Sequence, residues 1–92
     1  MIEVTRRPGD DPLAFAVTIR EADGETRHRV TMTRADAARL GADASPESCV
    51  EAAFRFLLDR EPKESILARF DVAIIKRYFP EFEREWPRYL EP

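Results

Sequence analysis

A turn signal between two runs of alternating apolar residues constrains this chain more than any other feature. Asp23-Gly24 offers the positive φ angles that a type I′ turn requires, and apolar residues alternate with polar ones on both sides of it. A two-residue turn at that dipeptide predicts Phe15, Val17 and Ile19 opposite Met32, Val30 and His28 on one face. The other face then carries Ala16, Thr18 and Arg20 opposite Thr31, Arg29 and Arg27, with Arg20 and Arg27 directly across from each other. Ile2 to Arg6 alternates in the same way, with Ile2 and Val4 on the apolar side, and Arg7-Pro8-Gly9-Asp10-Asp11-Pro12 reads as a connecting loop. An antiparallel three-stranded meander over residues 1–32 is therefore expected.

A lone meander is marginal in water, so its apolar stripe needs cover, and residues 33–92 read as a helical half that packs on one sheet face. Thr33 opens a short helix in a near capping box, and Gly41 is expected to stop it as a C′ residue. The strongest helix follows, with Ser45 as N-cap, Pro46 at the first position, and Val50, Ala53, Phe54, Leu57 and Leu58 at helical spacing. Lys63 to Ala68 is expected as a further short helix offering Ile66 and Leu67. Asp71 sits where an N-cap belongs, ahead of Val72, Ile74, Ile75, Tyr78 and Phe79. Pro80 restarts the chain for a last segment with Phe82, Trp86 and Tyr89, which Pro87 interrupts. The fold class is α+β in a single domain spanning residues 1–92.

Composition limits the functions open to such a chain. At 92 residues one core is expected, and the longest wholly apolar stretches, such as Leu13 to Val17 and Val72 to Ile75, are far too short to span a membrane. An early acid and no apolar h-region mark the N-terminus, so no secretory signal and a cytoplasmic location are expected. A net charge of −3 means that the field of the whole molecule does not attract nucleic acid, which would need a local basic patch. Cys49 is the lone cysteine; its neighbours Val50, Ala52 and Ala53 mark it as a small buried filler, with no internal disulfide or cysteine-cluster zinc site.

Few residues suggest chemistry. His28, the single histidine, falls on the apolar face beside no candidate nucleophile and reads as a satisfied structural residue. The acids Asp59, Glu61, Glu64, Glu81, Glu83 and Glu85 read as a solvated, dipole-matched face, and Arg60-Glu61-Pro62-Lys63-Glu64-Ser65 as an inter-helix corner with local ion pairs. No catalytic, metal or cofactor site is expected.

Two candidate binding surfaces remain. Arg20, Arg27 and Arg29 are either solvated and locally paired or receive an anionic partner, and that face lacks the aromatics on which bases stack. The terminal aromatic segment is either the lid of the core or a docking surface with Trp86 and Tyr89 as anchors.

The run Glu51-Ala52-Ala53-Phe54-Arg55-Phe56-Leu57-Leu58-Asp59-Arg60-Glu61-Pro62-Lys63-Glu64-Ser65-Ile66-Leu67, with Phe70-Asp71 and Arg77-Tyr78-Phe79-Pro80-Glu81-Phe82-Glu83, resembles a family of small stand-alone bacterial proteins of unknown function. That resemblance covers most of the chain and implies no activity, cofactor or site residue. The expected role is a small non-catalytic protein-interaction or accessory module that meets a protein partner or a second copy of itself. The alternative is a nucleic-acid-associated regulator that uses the arginine face.

Overall fold

Strands β1 (Ile2–Arg7), β2 (Leu13–Glu21) and β3 (Gly24–Met32) form the antiparallel meander in the computed structural model, which describes residues 1–41 and 43–90. The helical half expected over 33–92 thus includes Ala42, Glu91 and Pro92, which lie outside the described residues.

β1 pairs with β2 as the alternation predicts, Ile2 opposite Ile19 and Val4 opposite Val17. The hairpin differs from expectation by a slip of two residues. Leu13 faces Met32, Phe15 faces Val30, Val17 faces His28 and Ile19 faces Thr26. The turn residues are therefore Ala22 and Asp23, since Glu21 pairs with Gly24. Among the described residues no non-glycine residue has positive φ, whereas Gly24 adopts φ +140°, so ordinary turn residues are followed by a glycine that takes up the unusual angle.

Two physical gains favour this register. Leu13 acquires an apolar partner in Met32, and Arg20 faces Glu25 in place of Arg27, which replaces a like-charge pair by an attractive one. Because strand side chains alternate with period two, a slip of two leaves every side chain on its expected face. Leu13, Phe15, Val17, Ile19, His28, Val30 and Met32 are accordingly all buried.

A fourth strand, β4 (Arg69–Asp71), joins the far side of β3 in parallel and makes the sheet mixed, in the order β1-β2-β3-β4. It begins directly after the Lys63-to-Ala68 segment that the sequence predicts as a helix. Lys63–Ser65 forms only a 3-10 turn, after which the chain extends and the Ala68 carbonyl accepts the Arg29 amide at 2.7 Å. Thr31 Oγ1 also donates to Asp71 Oδ2 at 2.6 Å, so backbone and side chain together fix the short strand.

α1 and α2 begin where their caps predict. α1 (Arg34–Gly41) is opened by Thr33, whose hydroxyl accepts the Asp36 amide, and α2 (Pro46–Leu58) by Ser45, whose hydroxyl accepts the Ser48 amide. Gly41 is not a left-handed C′ residue but the last residue of α1, and its φ is not positive. Its smallness serves close packing, since a Cβ there would lie 2.1 Å from Cys49 Sγ. Asp71 Oδ1 accepts the Ala73 amide and starts a 3-10 turn, Val72–Ile74, that runs into α3 (Ile75–Tyr78). α4 (Phe82–Glu85) gives way at Trp86 to a last 3-10 turn, Trp86–Tyr89, with Pro87 as its second residue.

One buried cluster unites the sheet residues Phe15, Val17, Ile19 and Val30 with Val50, Phe54 and Phe56 of α2 and with Ile66, Val72, Ile75, Phe82 and Trp86. No helix among the described residues is long and apolar enough to cross a membrane.

Candidate functional site

The single histidine and the single cysteine are both engaged in structure. His28 is buried against Phe54, with ring centroids 5.4 Å apart, and both of its nitrogens are occupied. Nδ1 lies 2.8 Å from the Leu67 carbonyl and Nε2 2.9 Å from Thr26 Oγ1. Cys49 is buried, and desolvation raises its thiol pKa, which keeps it in the unreactive protonated form. Among the described residues no group of three His, Cys, Asp or Glu is placed to hold a metal ion.

The arginine face divides into two parts. Arg20 pairs with Glu3 and, at 3.1 Å, with Glu25, while Arg27 pairs with Glu25 at 2.9 Å. Hydrogen bonds from Arg20 and then Arg27 hold the Glu25 carboxyl below its usual range. These two arginines are thus locally paired, and the predicted trio does not act as one cluster. Arg29 instead faces Arg69 across the β3–β4 ladder and lines an open cleft with Arg69 and Arg7. Sequence reasoning missed Arg7 and Arg69, because only the parallel pairing of β4 brings Arg69 to this face.

Of the two proposed aromatic anchors, the structure corrects Trp86. Trp86 is 1% exposed and its Nε1 donates to the Cys49 carbonyl at 3.2 Å, so it is part of the core and unavailable to a partner. Tyr89 is half-buried beside Phe56, and its hydroxyl donates to Asp59 Oδ2 at 2.6 Å. Arg60 lies over the Phe56 ring, 3.6 Å from its centroid, and reaches Glu81 at 3.1 Å. The segment closes over the end of α2 as a lid.

The Arg60-to-Ser65 corner holds more than local ion pairs. Lys63 is 2% exposed, yet its ammonium meets Asp23 at 2.7 Å, Glu64 at 2.9 Å and Glu21 at 3.0 Å. Hydrogen bonds to Asp23, then Glu64 and Glu21, raise the pKa of Lys63, and the same bonds lower those of Asp23 and Glu64. The hairpin tip is thereby fastened to the corner.

A second concavity, of about 200 Å³, lies beyond that corner. Leu57, Ile66 and Ile75 contribute to its apolar lining, Phe70 and Phe79 add rings, and Leu67 and Tyr78 stand at its edge. Glu61 is its charged member; burial raises the pKa of that carboxyl, and no described Lys or Arg pairs with it. Helical periodicity identified most of these side chains as apolar, but not that Leu67 and Tyr78 would be left 47% and 62% exposed.

Comparison with known proteins finds no matching family model, no matching curated protein and no matching solved structure.

Proposed function

We propose that this chain is a small non-catalytic interaction module whose groove at Leu67 and Tyr78 receives an apolar side chain of a protein partner. One observation carries the reading: the exposed large hydrophobic residues among those described are Met1, Leu67 and Tyr78, and the last two flank a single apolar groove. Scattered exposed apolar residues need no explanation, whereas two on one concave surface suit a docking site. In this reading the helical half covers the apolar face of the sheet and presents the groove on its own outer side.

Glu61 narrows the choice of partner. A carboxylate partly desolvated among apolar walls and without a cation is stabilised by one that the partner brings. The fitting ligand is therefore a segment with a Leu, Ile or Met side chain next to a Lys or Arg. The engaged nitrogens of His28 and the buried thiol of Cys49 support a binding role over a catalytic one.

NMR titration of the full chain with short blocked peptides containing Leu-Lys or Leu-Glu tests this. Amide shifts centred on Leu67, Phe70 and Tyr78 are expected with the basic peptide, and Leu67→Glu should weaken binding by about tenfold or more. Equal responses to both peptides, or shifts scattered over the surface, would refute the assignment.

A further inference from the structure

We propose that Arg7, Arg29 and Arg69 form a binding site for a compact phosphate-bearing anion on the outer face of the sheet. This site is separate from the Leu67–Tyr78 groove and does not depend on the role assigned there.

The rows of the sheet place the charges. Pairing sets Arg7, Ala14, Thr31 and Asp71 side by side across the strands, and Thr5, Ala16, Arg29 and Arg69 in the adjacent row. β2 contributes only alanine to these two rows, so it forms the low floor of a trough. Arg7 stands on one bank and Arg29 with Arg69 on the other, and all three line the same cleft.

Charge makes the trough unusual. Arg29 and Arg69 are direct neighbours in the parallel ladder, on strands about 4.8 Å apart, where like charges repel. The chain has more acids than bases, 18 against 15, yet no described carboxylate lies within ion-pairing distance of Arg7, Arg29 or Arg69. An oxyanion there would remove the repulsion and accept several planar, charge-assisted hydrogen bonds, the geometry for which guanidinium groups are suited.

The surroundings limit the size of the ligand. Glu3 and Glu25 lie toward the hairpin tip on the same face, and Asp71 closes the β4 side, where Thr31 and the Ala73 amide hold its carboxylate. A long polyanion following the sheet would meet these acids, and the outward positions of the strands carry no aromatic ring for bases, Phe15 and Phe70 standing at the inward positions. One or two phosphoryl groups fit between them.

The test is calorimetric titration of the full chain with inorganic pyrophosphate at low ionic strength, in parallel with a duplex DNA oligomer. Saturable pyrophosphate binding is expected, weakened about tenfold or more by Arg29→Gln and by Arg69→Gln, and little changed by Arg27→Gln on the same face. Arg69→Gln should not lower the thermal midpoint of the free protein, because it relieves repulsion, and Arg69→Lys should retain part of the binding. Absence of pyrophosphate binding, an equal loss in Arg27→Gln, or binding of the duplex alone would overturn the proposal.

Discussion

Lys63 is a buried cation, its ammonium included, while its three acidic partners stay largely in solvent. Such an arrangement fastens two parts of the chain without desolvating the carboxylates, so its pH response follows from the three titrating groups together. Asp23 and Glu64 have folded pKa values below their ordinary 3.8 and 4.5. Their contribution is therefore fully present above those ordinary values and is lost as pH falls through the lower folded ones. Lys63 is raised above its ordinary 10.5, so its contribution is complete below that value and fades only at more alkaline pH. Lys63→Gln should accordingly speed amide exchange in residues 20–26 at neutral pH while leaving the core amides protected, and its difference from the parent should shrink below about pH 4. Unchanged exchange at the hairpin tip would show that the clamp does not hold it. This contact was not legible in the sequence, where Lys63 and Asp23 lie 40 positions apart. The burial of His28 was legible, because alternation alone set its face.

At the scale of elements, local chemistry predicted starts better than ends. Ser45-Pro46 and Thr33 cap the helices that they were read to cap, since an N-cap hydroxyl and its amide partner are three residues apart. β4 escaped notice because three residues show no periodicity and a parallel strand has no hairpin turn to announce it. Asp71 is an N-cap, as its position predicts, but it is also the last residue of that strand. Sequence leaves the terminal aromatic segment open between lid and docking surface, because spacing shows which residues share a helix face but not what that face meets. Packing decides it. Trp86 contacts Phe82, donates to the Cys49 carbonyl, and would lie 3.4 Å from a Cβ on Gly41, so it sits where α1, α2 and the last turn converge. Trp86→Ala should cost about 3–5 kcal/mol, a large share of the stability of a domain this small. As the single tryptophan, it should also emit at short wavelength and resist acrylamide quenching in the native protein. Ready quenching under native conditions, or a variant with parental stability, would contradict the lid.

Over the whole molecule, β4 is the thin element between the two proposed surfaces. Phe70 lines both the apolar groove and the arginine cleft, and its ring meets Phe54 of α2 at 5.8 Å. Neither surface could be read from sequence, since each combines residues from both halves of the chain or leaves exposed what periodicity marks only as apolar. Their shared wall is held to β3 by few bonds, among them Arg29 N–H to the Ala68 carbonyl and Thr31 Oγ1 to Asp71. A hydrogen bond to a charged acceptor contributes about 1.5–3 kcal/mol, and Asp71 keeps its bond from Ala73 when Thr31 is lost. Thr31→Val preserves strand shape, so about 1 kcal/mol of global stability should be lost while β4 loosens more than the rest of the sheet. Hydrogen exchange would show this as faster exchange at residues 69–71 than in β1 and β2. If β4 positions both surfaces, the same substitution should weaken peptide binding at Leu67 and Tyr78 as well as pyrophosphate binding at Arg29 and Arg69. Loss at one surface with the other intact would mean that each is held by its own neighbours and that β4 does not couple them.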